Sequence, residues 1–214
     1  MTHNEQIAAL RKDYRHSELL ESEVDADPIM LFHKWFKQAI EAEIAEPNAM
    51  CLSTVAEGKP ESRIVLLKGI EHHGFVFYTN YNSQKGQQIE TNPNVHLNFA
   101  WLDLERQIRI SGTAHKISEA ESDLYFASRP FESRVGAIVS AQSKVIESRE
   151  ELEKSMSEAL AKYEGTNPPR PQHWGGYAVV PDSIEFWQGR TGRLHDRLLY
   201  TKEDHVWKIS RLCP

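Results

Sequence analysis

Arg63-Ile-Val-Leu-Leu-Lys-Gly-Ile-Glu-His-His-Gly-Phe-Val-Phe-Tyr-Thr-Asn80 sets two runs of β-branched, aliphatic and aromatic residues on either side of a turn. Residues 62–67 and 75–79 read as strands, with His72-His73-Gly74 as the link that reverses the chain. Working outward, residues 49–55, 95–101 and 106–116 are further strands, and Glu57-Gly58-Lys59-Pro60 is a second turn. Links this short favour antiparallel neighbours, because a parallel pair needs a long crossover. Pro168, Pro169 and Pro171 form a stiff connector, after which strands are expected at 174–180, 184–187, 198–200 and 206–209. So many short strands close more economically into a barrel than into an open sheet with bare edges. The expected fold is α+β, a single barrel domain over residues 1–214 with helices at its periphery.

The helices carry their own signals. Asp27 is an N-cap and Pro28 suits the first helical position, and Phe32, Trp35, Phe36, Ala39 and Ile40 recur at helical spacing until Glu46-Pro47. Ser83 caps a short helix running toward Asn92-Pro93. Ser118 to Glu121 and Ser148 to Glu151 are both capping boxes. The second of these opens a helix with apolar Leu152, Met156, Ala159, Leu160 and Tyr163, stopped at Gly165. Residues 1–26 are polar and mixed in charge, and are expected to be mobile unless a ligand or partner orders them.

Bulk properties exclude several function classes. At 214 residues a chain buries roughly 70% of its unfolded surface without staples. A net charge of -6 is wrong for a nucleic-acid binder, which needs a basic face against phosphates. Cys51 and Cys213 alone make neither a disulfide framework nor a cysteine zinc site, which fits a reducing cytoplasm. The N-terminus has no signal-peptide pattern and no apolar run approaches the ~20 residues that span a bilayer, so a soluble cytoplasmic protein is expected. No P-loop, nucleophile elbow, dinucleotide fingerprint or H-E-x-x-H motif occurs, and His72-His73 reads as a solvated turn, so no metal is expected.

What remains is a set of anion-seeking groups. Arg63 and Lys68 bracket an apolar strand; strict alternation puts them on opposite faces, so a shared target requires a bulge, a strand end or approach by the backbone. Lys85 falls in the first turn of the helix capped by Ser83, where free N–H groups already favour an anion. Pro130 breaks a helix, leaving Arg129 at the junction between Tyr125 and Ser133, and these three are candidates to converge on a phosphate. Ile184-Glu-Phe-Trp-Gln-Gly-Arg-Thr-Gly-Arg-Leu-His-Asp-Arg197 reads as a β-hairpin with Arg190, Arg193 and His195 at its tip and Arg197 returning beside Trp187. Its arginines either bind an outside anion or are laced to Asp196 and Glu185.

These stretches, with Leu104-Glu-Arg-Gln107, Gln142-Ser143, Trp174-Gly-Gly176 and the closing Arg211-Leu with Pro214, resemble the pyridoxine (pyridoxamine) 5′-phosphate oxidase family from Leu10 to the C-terminus. The resemblance implies a homodimer of split barrels with FMN held between the subunits. It implies FMN contacts from Arg63, Ile64, Val65, Leu66, Leu67, Lys68, Tyr78, Thr79, Lys85, Gln107, Gln142, Ser143, Trp187 and Arg197. Lys68, Tyr125, Arg129 and Ser133 would grip the phosphate of the vitamin, Arg193, Leu194 and His195 would meet its pyridine ring with Arg193 and His195 catalytic, and Arg11, Lys12, Asp13 and Tyr14 would fold over the site. The implied reaction is oxidation of pyridoxamine or pyridoxine 5′-phosphate to pyridoxal 5′-phosphate, with molecular oxygen reduced to hydrogen peroxide.

Two departures stand out. Where the family reads Asn-x-x-Ser-Arg-Lys, this chain has Asn80-Tyr-Asn-Ser-Gln-Lys85, so Gln84 occupies the place of an arginine on the FMN phosphate. Where the family has Phe-Pro-Trp, this chain has Phe99-Ala-Trp101. Gln84 keeps open an alternative, a split-barrel protein that holds a flavin or pyridoxal phosphate without turnover.

Overall fold

The computed structural model describes residues 3–10, 13–14, 17–71 and 73–214. The elements run α1 (His3–Ala9), α2 (Pro28–Glu41), β1 (Ala49–Ala56), β2 (Lys59–Leu66), β3 (Gly69–Glu71), β4 (Gly74–Asn80), α3 (Gln84–Thr91), β5 (Asn94–Trp101) and β6 (Arg106–Lys116). Then follow α4 (Glu119–Ser128), α5 (Phe131–Val139), α6 (Arg149–Tyr163), β7 (Trp174–Gln188), β8 (Asp196–Glu203) and β9 (Val206–Arg211). The strands form one sheet in which β2, β1, β5, β6, β7, β4 and β3 are successive neighbours and β8 pairs with β7 and β9. The mixed α+β class and the antiparallel sheet agree with the sequence. By its contacts the chain divides into two compact units, residues 48–97 with 111–181, and residues 1–47 with 98–110 and 182–214.

In the unit of residues 48–97 and 111–181, β1 and β2 pair from Ala49↔Leu66 to Ala56↔Lys59, and the two residues between them have left-handed backbones, Glu57 at φ 52° and Gly58 at φ 74°. The link between β3 and β4 includes His73 at φ 62°; His72 lies outside the described residues. Short β3 was not expected from sequence, since three residues carry too little periodicity to register. Ser83 caps α3 by accepting from the Gly86 N–H at 3.3 Å. The Ser118 box is reciprocal, with its hydroxyl accepting from the Glu121 N–H and the Glu121 carboxylate accepting from the Ser118 N–H. At α6 Ser148 accepts from the Glu151 N–H, whereas the Glu151 carboxylate reaches the Glu147 N–H, so the second box is one-sided here. No residue of α6 is buried within the described chain, although its apolar positions repeat as expected.

In the other unit, α2 starts where expected, with the Asp27 carboxylate accepting from the Ile29 N–H at 2.9 Å. It ends earlier than expected, at Glu41 rather than Glu46, because Glu43 turns to φ 54° and the apolar spacing has already run out. Phe32 and Trp35 are buried against Phe99 and Phe186, with centroid separations of 5.2 Å in each pair. Arg106 lies 4.4 Å over the Trp35 ring and donates to Gln38 and Gln188, and burial pushes its pKa down to about 10. Ile40 remains exposed.

The two strands expected at 174–180 and 184–187 are one continuous strand, β7. A proline, which lacks a ladder N–H, lies between the two expected segments. Pro181 is tolerated because β7 pairs with β4 from Trp174 to Val179 and with β8 from Ser183 to Gln188, so it sits in the gap between those two ladders.

Candidate active site

Within the unit of residues 48–97 and 111–181, a cavity of about 710 Å³ is lined by Ile64, Val65, Leu66 and Lys68 from β2 and its exit, by Tyr78, Thr79 and Asn80 from β4, and by Lys85 from α3. The helical layer contributes Tyr125, Ser128, Arg129, Pro130, Ser133, Ala137, Ser140 and Gln142, and β7 contributes Trp174. The cavity therefore gathers Ile64, Val65, Leu66, Lys68, Tyr78, Thr79, Lys85, Tyr125, Arg129, Ser133 and Gln142 of the expected set. Lys68 lies beyond the end of β2 at Leu66 and lines the cavity, whereas Arg63 within β2 does not, so the two cations do not meet there.

Pro130 explains the clamp. Its ring disfavours a helical backbone at the preceding residue, so Arg129 adopts φ -74° and ψ 149° and leaves the end of α4 at an angle, while α5 begins at Phe131. Tyr125 on α4, Arg129 at the break and Ser133 on α5 then line the same cavity. Arg129 Nη1 is buried and has no hydrogen-bond partner among the described residues, and burial pushes the Arg129 pKa down. A buried guanidinium donor without an acceptor is costly unless an anion completes it. Tyr78, Tyr125 and Trp174 stack with near-parallel rings, and burial pushes the Tyr78 pKa up to about 12, so its phenol stays protonated.

Lys85 is buried in the first turn of α3, its Nζ 3.3 Å from Thr79 Oγ1 and 3.4 Å from Ser83 Oγ, and desolvation followed by the charge of Arg63 pushes its pKa down. Hydroxyls orient this ammonium but do not neutralise it.

Several expected residues do not line the cavity. Leu67 is buried in the core. The Arg63 guanidinium donates to Thr54 Oγ1 at 2.6 Å and to Gln88 Oε1 at 3.1 Å, and lies 3.5 Å from the Glu61 carboxylate. Gln84 is exposed, its amide donating to Glu61 Oε1 at 3.0 Å. Ser143 is exposed at φ 70°.

Gln107, Trp187, Arg193, Leu194, His195 and Arg197 belong to the other unit, as do Asp13 and Tyr14. Gln107 donates to Asn98 Oδ1 at 2.8 Å. Trp187 faces Arg197 across the β7–β8 hairpin, as expected. Of the two readings of the hairpin arginines, the structure shows the lacing to acids, to Glu185 and Asp196. Arg197 donates to the buried Glu185 carboxylate at 2.7 Å and Arg190 pairs with Asp196 and Glu18 at 3.1 Å, whereas the side chains of Arg193 and Leu194 are exposed and the Leu194 N–H donates to the Thr191 carbonyl at 3.2 Å. Gly192 supplies a left-handed turn at φ 64°, but Gly189 supplies room, since a Cβ there would lie 2.8 Å from the Tyr14 ring and 3.0 Å from Glu105. Tyr14 packs edge-on against Trp187 and His195, with centroids 5.7 and 5.6 Å away. Asp13 is exposed, and Arg11 and Lys12 lie outside the described residues.

His195 Nδ1 accepts the Arg190 backbone N–H at 3.1 Å, so the neutral ring carries its proton on Nε2. Burial, then the neighbouring Arg193 charge, pushes its pKa below the usual histidine value. The ring is a neutral donor at ordinary pH.

Sequence reasoning missed Trp174, Asn80 and Ser140 as lining residues. Asn80 and Ser140 are joined by a 3.3 Å bond from the Asn80 amide to the Ser140 carbonyl, a pairing 60 residues apart that no local pattern encodes. Trp174 was visible only as a motif. Among the described residues no three of His, Cys, Asp and Glu gather as metal ligands, and no helix is long and apolar enough to cross a membrane.

Comparison with known proteins gives these residues a context. Residues 36–163 match the family described as pyridoxamine 5′-phosphate oxidase, and residues 174–214 match the pyridoxine 5′-phosphate oxidase C-terminal dimerisation region. A Nostoc protein named pyridoxine/pyridoxamine 5′-phosphate oxidase is 57% identical over 210 residues, covering 97% of this chain and 98% of that one. A protein of the same name from Paraburkholderia phymatum is 57% identical over 210 residues, covering 97% and 99%. The crystal structure of PhzG from Burkholderia lata in complex with tetrahydrophenazine-1-carboxylic acid superposes with a TM-score of 0.87 at 31% identity, covering 92% of this chain and 98% of that one. With two family matches that between them take in the cavity and the hairpin, and relatives more than half identical along nearly the whole chain, the protein belongs to the pyridoxamine 5′-phosphate oxidase family.

Proposed function

We propose that this chain is an FMN-dependent oxidase that converts pyridoxamine 5′-phosphate or pyridoxine 5′-phosphate to pyridoxal 5′-phosphate. The observation that carries the reading is the buried Arg129 donor without an acceptor, in one cavity with Lys68, Tyr125 and Ser133. That set offers two cations and two hydroxyls to a phosphate, whereas a simple flavin reductase would have no use for it.

Lys85 supports FMN as the cofactor, because a buried ammonium held only by hydroxyls at a helix start fits a phosphate dianion. Lys85, Thr79, Tyr78 and the Ile64–Leu66 backbone would hold the flavin, with Gln107, Gln142, Ser143, Trp187 and Arg197 as further contacts. FMN, when bound, supplies two-electron acceptance and passes the pair to molecular oxygen, giving hydrogen peroxide. The protein's own part is binding and orientation. Arg129, Lys68, Tyr125 and Ser133 fix the substrate phosphate, Arg193 places positive charge against the pyridine ring, and the neutral His195 offers Nε2–H. Asp13 and Tyr14, with Arg11 and Lys12, cover the substrate. The dimerisation-region match supports a homodimer, with each FMN held between two subunits.

Oxygen uptake with pyridoxamine 5′-phosphate, set against uptake with NADH, tests the reading. Uptake with hydrogen peroxide and pyridoxal 5′-phosphate as products is expected. Uptake with NADH alone would make the protein a reductase, and tight vitamer binding without uptake would make it a carrier.

A further inference from the structure

Arg129 raises a question that the phosphate clamp leaves open: what holds its guanidinium in place when no acid does. Among the described residues its side chain has no ion pair and no hydrogen bond, yet it is buried enough that Nη1 has no access to water. What it does have is a ring face. The guanidinium carbon lies 4.7 Å over Trp174 and 5.9 Å from the Phe126 ring. Trp174 is itself only 6% exposed and is fixed from both sides. Its backbone pairs with Asn80 in the β4–β7 ladder and its carbonyl accepts from Arg170 at 2.7 Å, while Tyr78 and Tyr125 stack parallel to its ring at 5.4 and 6.2 Å. Phe126 closes the remaining side edge-on at 5.1 Å.

We propose that Trp174 is a positioning residue, whose indole face holds the Arg129 guanidinium in the cavity with its N–H edge free for the substrate phosphate. The proposal rests on the oxidase reading for the identity of that phosphate. The physical case is one of competition. A carboxylate would anchor Arg129 more firmly, but it would use the N–H donors and cancel the charge that a dianion needs. A ring face attracts the cation through its quadrupole and leaves the in-plane donors untouched. Preorganisation of this kind lowers the ordering cost at the moment of binding.

The test uses the flavin-loaded protein and measures dissociation constants for pyridoxal 5′-phosphate and for pyridoxal, with oxygen uptake recorded alongside. Trp174→Leu is expected to weaken pyridoxal 5′-phosphate about ten-fold, between the sizes of an exposed and a desolvated cation–π contact, and Trp174→Phe less than about three-fold because a ring face survives. In an Arg129→Ala background Trp174→Leu should change the constant by less than about two-fold, since the two residues act as one unit. Pyridoxal, which lacks the phosphate, should bind all variants alike. Equal affinities for wild type and Trp174→Leu, the same loss with and without Arg129, or an equal loss for pyridoxal would each overturn the proposal. Should Trp174→Leu not fold, Trp174→Met provides the ring-free side chain and the same outcomes apply. A wild-type protein that binds pyridoxal 5′-phosphate but consumes no oxygen with pyridoxamine or pyridoxine 5′-phosphate would sink the oxidase reading and leave the role of Trp174 standing.

Discussion

At the scale of single residues, the cations differ in what neutralises or holds their charge. Arg106, Arg190, Arg197 and Arg211 are held by amides or carboxylates, whereas buried Lys85 meets hydroxyls and half-buried Arg129 meets ring faces. Gln84 lies beside this division, since its amide is engaged by Glu61. An arginine there would meet that same carboxylate while adding a charge near Lys85. Gln84→Arg is therefore expected to tighten FMN about five-fold at low salt, less than a free arginine would give, with the gain shrinking as salt rises. Flavin titration into both apoproteins reads the effect, and equal constants at low salt would remove Gln84 from the phosphate site. For His195 the sign of the pH dependence follows from its environment. Its pKa lies below the ordinary 6.5, and protonating Nδ1 would expel the Arg190 N–H, so the folded protein resists protonation and the intact site loses function only as pH falls through that lowered pKa. His195→Ala should lower kcat while FMN stays bound, and its pH profile should lack the acid limb. An unchanged kcat and kcat/KM would take His195 out of the mechanism.

At the scale of elements, the legible features are those with a local cause. Pro130 was readable as a break because a proline restricts the residue before it, and that one restriction brings Tyr125, Arg129 and Ser133 to the same cavity. The continuity of β7 across Pro181 was not legible, because whether a missing N–H matters depends on the partner strand, which local sequence does not name. Trp174 fell between the two: its motif was visible, but its contacts with Tyr78, Tyr125 and Arg129 span 45 to 96 residues and are set by packing alone. α3 offers a direct test of how an element positions the site. Gly86 follows Lys85, and a Cβ there would lie 2.2 Å from the Tyr81 carbonyl oxygen and 2.8 Å from its Cα, backbone atoms that cannot turn aside. Gly86→Ala should cost about 1–3 kcal/mol and lower Tm by roughly 5 °C, with weaker FMN binding because Lys85 moves with the helix start. Calorimetry and flavin titration check it, and an unshifted Tm would mean that α3 slides freely and does not fix Lys85.

At the scale of the whole molecule, the cavity with Arg129 and the hairpin with His195 fall in different contact units of the chain, and the C-terminal residues match a dimerisation region. If each FMN is held between two subunits, one giving the cavity and the other the hairpin, defects in these two places should complement each other. In a two-fold dimer every contact of residue i with residue j is repeated as j with i. A heterodimer of an Arg129→Ala subunit and a His195→Ala subunit then contains one site with both defects and one site with neither. Purified through two different affinity tags, it should recover about half the oxygen uptake of the wild-type dimer, although each variant homodimer is impaired at both sites. A site completed within one subunit gives the opposite result, because every site then carries one defect and mixing restores nothing. The measurement thus separates a shared site from a self-contained one without any assumption about which residue is the base, and recovery well below a quarter of wild type would rule out the shared arrangement.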